Sequence, residues 1–332
     1  MTARAPAGGP TLSVATPTYQ RPDDLAKALR SVTDEAGDKA SSIEIVVSDN
    51  SADTRSEEVV RRLLDRWHGE STYVRHVPSL DKIANQNTSV RLATGRWVLV
   101  LHDDDYLLPG GVHAILDAIS RAGTEEHVLL FGVHVVDERG RRWRHQRLRR
   151  RCTLPPADAL RRLLGGSSFV RMPAICVRRD AYDEVGVFDG TIVNANDYDM
   201  WIRLFARFGV TVVPSTVSAY VIHSQAASEG MFDADGIEQL HELYRRAERT
   251  GLLSRSELRR KKRTYLHQFI LAGCFRRMRR GDWRAAREVI ALLTLPGVAE
   301  LGWSRRWMPV RLTFTAITAV LGRRAESDDS PT

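Results

Sequence analysis

The sequence predicts an α/β protein: a mostly parallel sheet flanked by helices, followed by a C-terminal helical extension. Three observations carry that expectation. Short β-branched runs alternate with stretches of helical period up to about Gly236. Several of those runs have no polar interruption, which suits strands covered on both faces. Beyond Gly236 the strands stop and long basic helices take over. With 332 residues, 43% of them hydrophobic, the chain can bury a sizeable core in one large or two modest domains.

The elements follow in order. Leu12 to Thr16 reads as a short strand broken at Pro17, and Arg21-Pro22-Asp23-Asp24 opens a helix whose apolar face is Leu25, Ala28, Leu29 and Val32. Ile43 to Val47 is a second strand, closed by the turn residues Ser48 to Asp53 and followed by a helix to about Trp67. Tyr73 to Val77 is a third strand, Asn85 to Ala93 a helix, and Trp97 to Leu101 a fourth strand without a polar residue. Pro109 marks the start of another helix. Val128 to Val136 is apolar and strand-like, and an arginine-rich loop and a helix near Ala157 to Leu164 come next. Ala174 to Val177 reads as strand, Asp197 to Phe208 as helix, and Val210 to Val213 as strand. In open α/β sheets the ligand lies beyond the carboxyl ends of the strands. Three loops should meet there: Pro17 to Arg21, Asp49 to Asp53, and His102 to Asp105.

The net charge of +8 is unevenly placed. Between Ile237 and Arg324 there are 20 Arg/Lys against 7 Asp/Glu, a net +13, so the rest of the chain sums to −5. A second cluster, Arg139 to Arg151, holds eight arginines in thirteen residues and is too charged to be a buried element; it is a solvated loop or an anion-binding rim. Cys152, Cys176 and Cys274 are scattered and have no metal or disulfide spacing, so a reducing cytoplasm is the expected setting. The N-terminus has no apolar signal region, and no stretch reaches the roughly 20 residues needed to span a bilayer. Phosphate-loop, dinucleotide, serine-hydrolase and zinc-protease signatures do not occur.

Three consecutive acids, Asp103-Asp104-Asp105, leave the apolar strand Trp97 to Leu101. Adjacent carboxylates repel one another, and a bound cation offsets that cost. Carboxylate oxygens suit Mg²⁺ or Mn²⁺, which commonly bridge to substrate phosphates. A solvated turn that caps the helix after Pro109 is the other reading, and Asp105 is the residue best placed for it.

The chain resembles a family-2 glycosyltransferase of the GT-A fold. Ala15-Thr16-Pro17-Thr18-Tyr19-Gln20-Arg21 is similar to that family's opening stretch, with Gln20 where Asn is usual. Val46 to Asp53 is similar to its second-strand motif, keeping Asp49 and carrying Ser48 for an acid. Asn87 to Trp97, His102 to Pro109, Asp180 to Asp189 with Asn196 to Arg203, and Tyr220-Val221-Ile222-His223 match further blocks in order. His102 and Asn196 stand where acids are commoner. The match runs from about Leu12 to Ser228.

The resemblance implies roles. Pro17, Tyr19 and Arg21 line a nucleotide pocket, Tyr19 stacking on the base. Asp49 accepts from a pyrimidine, favouring uridine or deoxythymidine donors. Asp104 binds the divalent metal (Mn²⁺ or Mg²⁺), Asp103 the ribose or a metal-bound water, and His223 adds a nitrogen ligand or binds diphosphate. Asn85, with Lys82 and Gln86, lies where sugar or diphosphate contacts arise. Asp197 is the candidate base of an inverting transfer, with a helix-capping role as its local alternative. Trp201 is packing or acceptor wall, and Arg203 a structural ion pair.

This organisation places a disordered N-terminus at 1–11, the catalytic domain at 12–236, a basic helical region at 237–324 and a disordered tail at 325–332. The expected partners are a nucleotide-sugar donor and a saccharide or lipid-linked acceptor of cell-surface polysaccharide or glycoconjugate assembly. Trp303, Trp307, Leu312, Phe314, Ile317, Val320 and Leu321, flanked by arginines, suit an anionic membrane surface, and a cytoplasmic protein peripheral to the inner face of the plasma membrane. A helix packed on the catalytic domain fits the same pattern. Two competing functions are a sugar-phosphate nucleotidylyltransferase, which needs a Gly-rich loop that Pro17 to Arg21 does not provide, and a non-catalytic polyanion binder using the arginine clusters. Those clusters carry few interleaved aromatics, so nucleic acid is not an expected partner.

Overall fold

The structure is a computed structural model that describes residues 9–166, 169–222 and 232–328, with side chains to Leu321. The chain divides into two compact units, Met1–Ala159 with Val170–Ser224, and Leu160–Phe169 with Gln225–Thr332.

The first unit is built on one sheet. Its strands are β1 (Leu12–Thr18), β2 (Ile43–Asp49), β3 (Glu70–Arg75), β4 (Trp97–Val100), β5 (Tyr106–Leu107), β6 (Val128–Asp137), β7 (Arg142–Gln146), β8 (Cys152–Leu154), β9 (Ile175–Arg178) and β10 (Val210–Ile222). They lie in the order β3-β2-β1-β4-β9-β6-β10-β5, with β7 added to β6 and β8 to β10. The parallel arrangement expected from strand–helix alternation holds across β3-β2-β1-β4. Beyond it the sheet is mixed, because β9 enters antiparallel between β4 and β6, while β6 and β10 run parallel. All seven residues of β2 and all four of β4 are buried, as strands lying between two layers must be.

Helices α1 (Pro22–Ala36), α2 (Arg55–Leu64), α3 (Lys82–Leu92) and α4 (Gly111–Ser120) connect the parallel half. Pro22 opens α1, where its missing N–H is no loss, and Leu25, Ala28, Leu29 and Val32 are buried as the period requires. Helix α3 starts before the expected Asn85, because Asp81 caps it: its Oδ1 accepts from the amides of Ile83 and Ala84, both at 2.9 Å. At the amino ends of the strands, buried Glu44 accepts from Ser13 Oγ, from Thr94 N and Oγ1, and from Gly95 N. A Cβ on Gly95 would stand 2.5 Å from Ser13 Oγ and 2.8 Å from Ser13 N, so that close approach requires glycine.

Several elements differ from expectation. The arginine cluster is not all loop: β7 is a solvent-facing strand paired antiparallel with β6, its residues exposed up to Gln146. A strand that faces water leaves no hydrophobic alternation to read. β10 does not stop near Val213 but runs to Ile222, through Pro214 and two register shifts between Val212 and Ser218 that absorb the proline. The short β5 and β8 had no signal. The next helices are α5 (Pro156–Leu163), α6 (Arg179–Val185), which was not expected, and α7 (Asn196–Phe208).

The second unit consists of helices α8 (Ala234–Arg249), α9 (Arg255–Arg279), α10 (Trp283–Ala291), α11 (Pro296–Ala299) and α12 (Met308–Asp328). Asp233, Ser254 and Asp282 cap the first three through their side chains. Leu240, Leu243, Tyr244 and Ala247 form the buried face of α8 expected from their spacing. A Cβ on Gly273 would stand 2.3 Å from the Phe232 ring, so that aromatic seats directly on the α9 backbone. Helix α12 packs on α10 and α9 and continues past Arg324, where a disordered tail was expected, to Asp328. No helix among the described residues is long and apolar enough to cross a membrane.

Candidate active site

The carboxyl ends of β1, β2 and β4 meet as expected, and hydrogen bonds fix how. Thr18 Oγ1 donates to Asp103 Oδ2 at 2.8 Å and the Tyr19 amide to the same oxygen at 3.2 Å. Arg21 Nη1 reaches Asp104 Oδ2 at 2.8 Å and Asp103 Oδ1 at 3.4 Å. The turn that swings Arg21 onto the acids passes through Gln20 at φ +54°, where its amide donates to Ser51 Oγ at 2.8 Å. Left-handed backbone is strained for most L-residues and easiest for Gly and Asn, which gives a physical reason for Asn in the pattern that this stretch resembles.

The acidic run is tied on its other side to β10. Asp105 Oδ1 accepts from the Val221 amide at 2.9 Å, and Leu108 N donates to Val217 O at 2.8 Å. Asp105 therefore does not cap α4; Gly110, at φ +77°, precedes that helix with no side-chain cap. Burial pushes the Asp103 carboxyl up to about 6, with the Asp104 charge adding to the rise and Arg21 opposing it. Burial, then Asp104, raises Asp105 well above the ordinary carboxylate range. Burial lowers His102, keeping its imidazole neutral.

His102, Asp104 and Asp105 offer ligand atoms that all lie within 4.8 Å of one another. Asp105 Oδ2 is buried without a hydrogen-bond partner. Two carboxylate oxygens and a neutral imidazole, one oxygen being orphaned, fit a divalent cation. Asp104 thus stands in a ligand group with His102 and Asp105; His223, the other expected ligand, lies outside the described residues.

The remaining expected residues have distinct positions. Pro17 is half-buried and Tyr19 is 55% exposed. Asp49 is fully buried; its Oδ1 accepts from Ser51 N and its Oδ2 from Tyr73 Oη, both at 2.8 Å. The Tyr73 hydroxyl is correspondingly harder to ionise, through burial first and then Asp49. Asn85 is a brace: it accepts from Ser48 Oγ at 2.8 Å and donates to Thr18 O at 3.2 Å, locking the ends of β1 and β2 together. Gln86 is buried as well, and Lys82 is exposed at the start of α3.

Asp197 sits in the first turn of α7, after the N-cap Ala195, and its Oδ1 accepts from Tyr198 N at 2.7 Å. Burial raises its carboxyl, against the opposing charges of Arg171 and Lys82. The same two cations act on the acidic run, Arg171 on Asp105 and Lys82 on His102. Tyr220 feels Arg171 together with Asp105, Asp197 and Asp104, and its ring lies 5.1 Å from the Arg171 guanidinium carbon. The fold thus brings Asp197 into the same electrostatic neighbourhood as the acidic run. Arg171 was not anticipated, because a single arginine ahead of a short strand forms no pattern.

Trp201 is buried in the packing of α7. Arg203 pairs with the fully buried Asp199 at 2.8 Å and donates to the carbonyls of Val185, Gly186 and Val187, the structural pair expected.

Comparisons with known proteins bear on the family and the fold. The profile of Glycosyl transferase family 2 matches residues 13–186. An uncharacterized protein of Mycobacterium tuberculosis is 28% identical over 221 residues, covering 63% of this chain and 66% of its own length. A GalNAc(5)-diNAcBac-PP-undecaprenol beta-1,3-glucosyltransferase of Campylobacter jejuni is 28% identical over 131 residues, 40% of each chain. The chain therefore spans less than two thirds of the length of these relatives. Among solved structures, S. aureus TarS 1-349 in complex with UDP-GlcNAc has a TM-score of 0.62 at 14% identity, covering 95% of this chain and 92% of that one. The Pyrobaculum calidifontis mannosyltransferase PcManGT in complex with GDP-Man and Mn²⁺ has 0.56 at 18%, covering 97% and 88%. At these identities the structural likeness establishes the fold.

Proposed function

Because the chain belongs to glycosyl transferase family 2, we propose that it moves a sugar from a nucleotide-diphosphate donor to an acceptor hydroxyl with inversion at the anomeric carbon. The observation that carries this reading is the joining of Asp103 to Thr18, Tyr19 N and Arg21, directly beside the His102, Asp104 and Asp105 ligand group. The nucleotide sugars held by two similar structures and the glycosyl transfer named for the Campylobacter relative support it.

Each residue then has a task. Tyr19 offers an exposed ring for the base, and Asp49, with Tyr73 already on one oxygen, accepts from a pyrimidine N–H through a remaining lone pair. Uridine and deoxythymidine donors meet that requirement. Asp103 holds the ribose, and Asn85 keeps the two strand ends in register beneath it. His102, Asp104 and Asp105 would hold Mn²⁺ or Mg²⁺, which supplies Lewis-acid stabilisation of the departing diphosphate. Asp197 takes the acceptor's proton as its oxygen attacks the anomeric carbon; the bond from that carbon to the phosphate oxygen breaks and the diphosphate leaves with the electron pair. A carboxylate whose pKa burial raises is a stronger base than an exposed one, and the charges of Arg171 and Lys82 oppose that rise.

The acceptor we propose is a saccharide or lipid-linked glycan of cell-surface polysaccharide or glycoconjugate assembly, reached by a cytoplasmic protein peripheral to the inner face of the plasma membrane. Neither competing function has a comparable observation behind it: β1 leads into an Asp103-bonded turn without a glycine loop, and polyanion binding has no use for an acid cluster.

A thermal-shift panel of nucleotides and nucleotide sugars, with and without Mn²⁺, tests the reading. A ligand at a hundred times its Kd stabilises the folded state by about 2.7 kcal/mol. The expected result is metal-dependent stabilisation by a uridine or deoxythymidine diphosphate that Asp104→Ala abolishes. Indifference to every nucleotide would overturn the proposal.

A further inference from the structure

We propose that the outward face of α12 seats the second unit on an anionic lipid bilayer, lying in its interface without crossing it. This deepens the peripheral reading above, yet is independent of donor chemistry.

The sequence of α12 is at odds with its burial. Residues 308–321 contain one charged side chain, Arg311, and yet only Thr318 is buried. Met308, Leu312, Ala316 and Val320 recur every fourth residue and form one exposed stripe, with Leu312 at 53% and Val320 at 59% exposure. The patch widens at its sides. Phe275 of α9, 48% exposed, stacks on Phe314 at 6.1 Å, and Trp303, 51% exposed, lies under the Arg311 guanidinium at 4.5 Å. Large apolar side chains exposed together, and not singly, mark an interaction surface.

Charge and length identify the occupant. Arg305 and Arg306 precede the apolar stretch and Arg323 and Arg324 follow it, in a region whose net charge is +13. An apolar stripe with arginines at both ends, and tryptophan at one, matches the layering of an anionic membrane interface, hydrocarbon below and headgroup phosphates level with the cations. Fourteen helical residues extend roughly 21 Å, short of a hydrocarbon core of roughly 30 Å, so the helix lies in the plane of the interface. A second copy is the poorer occupant: in a two-fold contact the same arginines would face each other.

The test is flotation of the full chain with vesicles of phosphatidylcholine alone and of phosphatidylcholine with phosphatidylglycerol, at low and at raised salt. Binding should favour the anionic vesicles. The double variant Leu312→Asp/Val320→Asp should lose about tenfold per side chain, roughly a hundredfold in all, with its circular dichroism spectrum and melting curve retained. Leu312→Ser/Val320→Ser should lose less and guards against misfolding of the first variant. Three results overturn the proposal: no binding to anionic vesicles at low salt; binding that raised salt abolishes and neither variant weakens, which is adsorption by arginines alone; or a dimer in light scattering that the variants dissolve while vesicles are ignored. None of these touches the nucleotide thermal shift, so failure here is distinct from failure of the glycosyl-transfer reading.

Discussion

Replacing Arg203 by Met should unfold the first unit well before it alters any ligand contact. The Asp199 carboxylate is fully buried and Arg203 answers it from one helical turn away with both Nε and Nη2. The same guanidinium donates to the Val185, Gly186 and Val187 carbonyls, which lie near solvent and can recover water. The cost therefore concentrates on Asp199. Removing one partner of a buried pair costs ~3–5 kcal/mol. In a unit of this size that lowers Tm by roughly 6–20 °C, at ~2–4 °C per kcal/mol. Calorimetry on Arg203→Met, Asp199→Leu and the double variant measures it. The double variant should be less destabilised than the sum of the singles, since it removes both charges together. A shift under ~2 °C for Arg203→Met, or a double variant that melts at the sum of the two, would refute the reasoning.

Three further outcomes follow from the geometry. Asp197→Asn should lower kcat about 10²- to 10⁴-fold while sparing the nucleotide thermal shift; in the unaltered protein, activity should rise with pH through an acid limb above the ordinary carboxylate range, because burial raises Asp197 and its ionised form is the base. A pH–rate profile with no such limb would argue against it. Tyr73→Phe leaves Asp49 Oδ2 without its donor and should cost ~1–3 kcal/mol in urea denaturation, with weaker stabilisation by uridine diphosphate. Gln20→Gly should relieve the left-handed backbone and raise stability by roughly 1 kcal/mol, provided that the Ser51 contact through its amide persists, and a lower melting temperature would contradict that assignment of strain.

What was legible in the sequence was what is local or periodic. β2 and β4 were readable because burial on both faces leaves a strand no polar position, and the acid triplet stood out because it follows such a strand at once. The helical pattern from Asp197 to Phe208 put Asp197 at the start of α7, in whose first turn it lies. The rest depends on partners distant in the chain. Asp105 looked like a local cap, yet its hydrogen-bond donor, Val221, lies 116 positions further on. Arg171 and Tyr73 acquire meaning only when β9 and β3 are laid in the sheet, and His102 only when its ring is seen beside Asp104 and Asp105. β7 escaped because a ribbon of arginines facing water carries no hydrophobic signal.

The entry of β9 against β4 has a consequence for how such a protein changes over generations. Upstream of that seam lie Thr18, Tyr19, Arg21, Asp49 and the acidic run; downstream lie Arg171, Asp197 and Tyr220. Under the proposed function, the first set faces the donor and the second the acceptor. Thr18, Tyr19, Arg21 and Asp49 hang on β1 and β2, whereas the acidic run is bonded across to β10 through Asp105, so mutations around the first four need not disturb the register of the second set. Selection can then keep an inherited nucleotide chemistry while exchanging the molecule that receives the sugar, and a laboratory graft that joined two relatives at this seam should recombine their specificities.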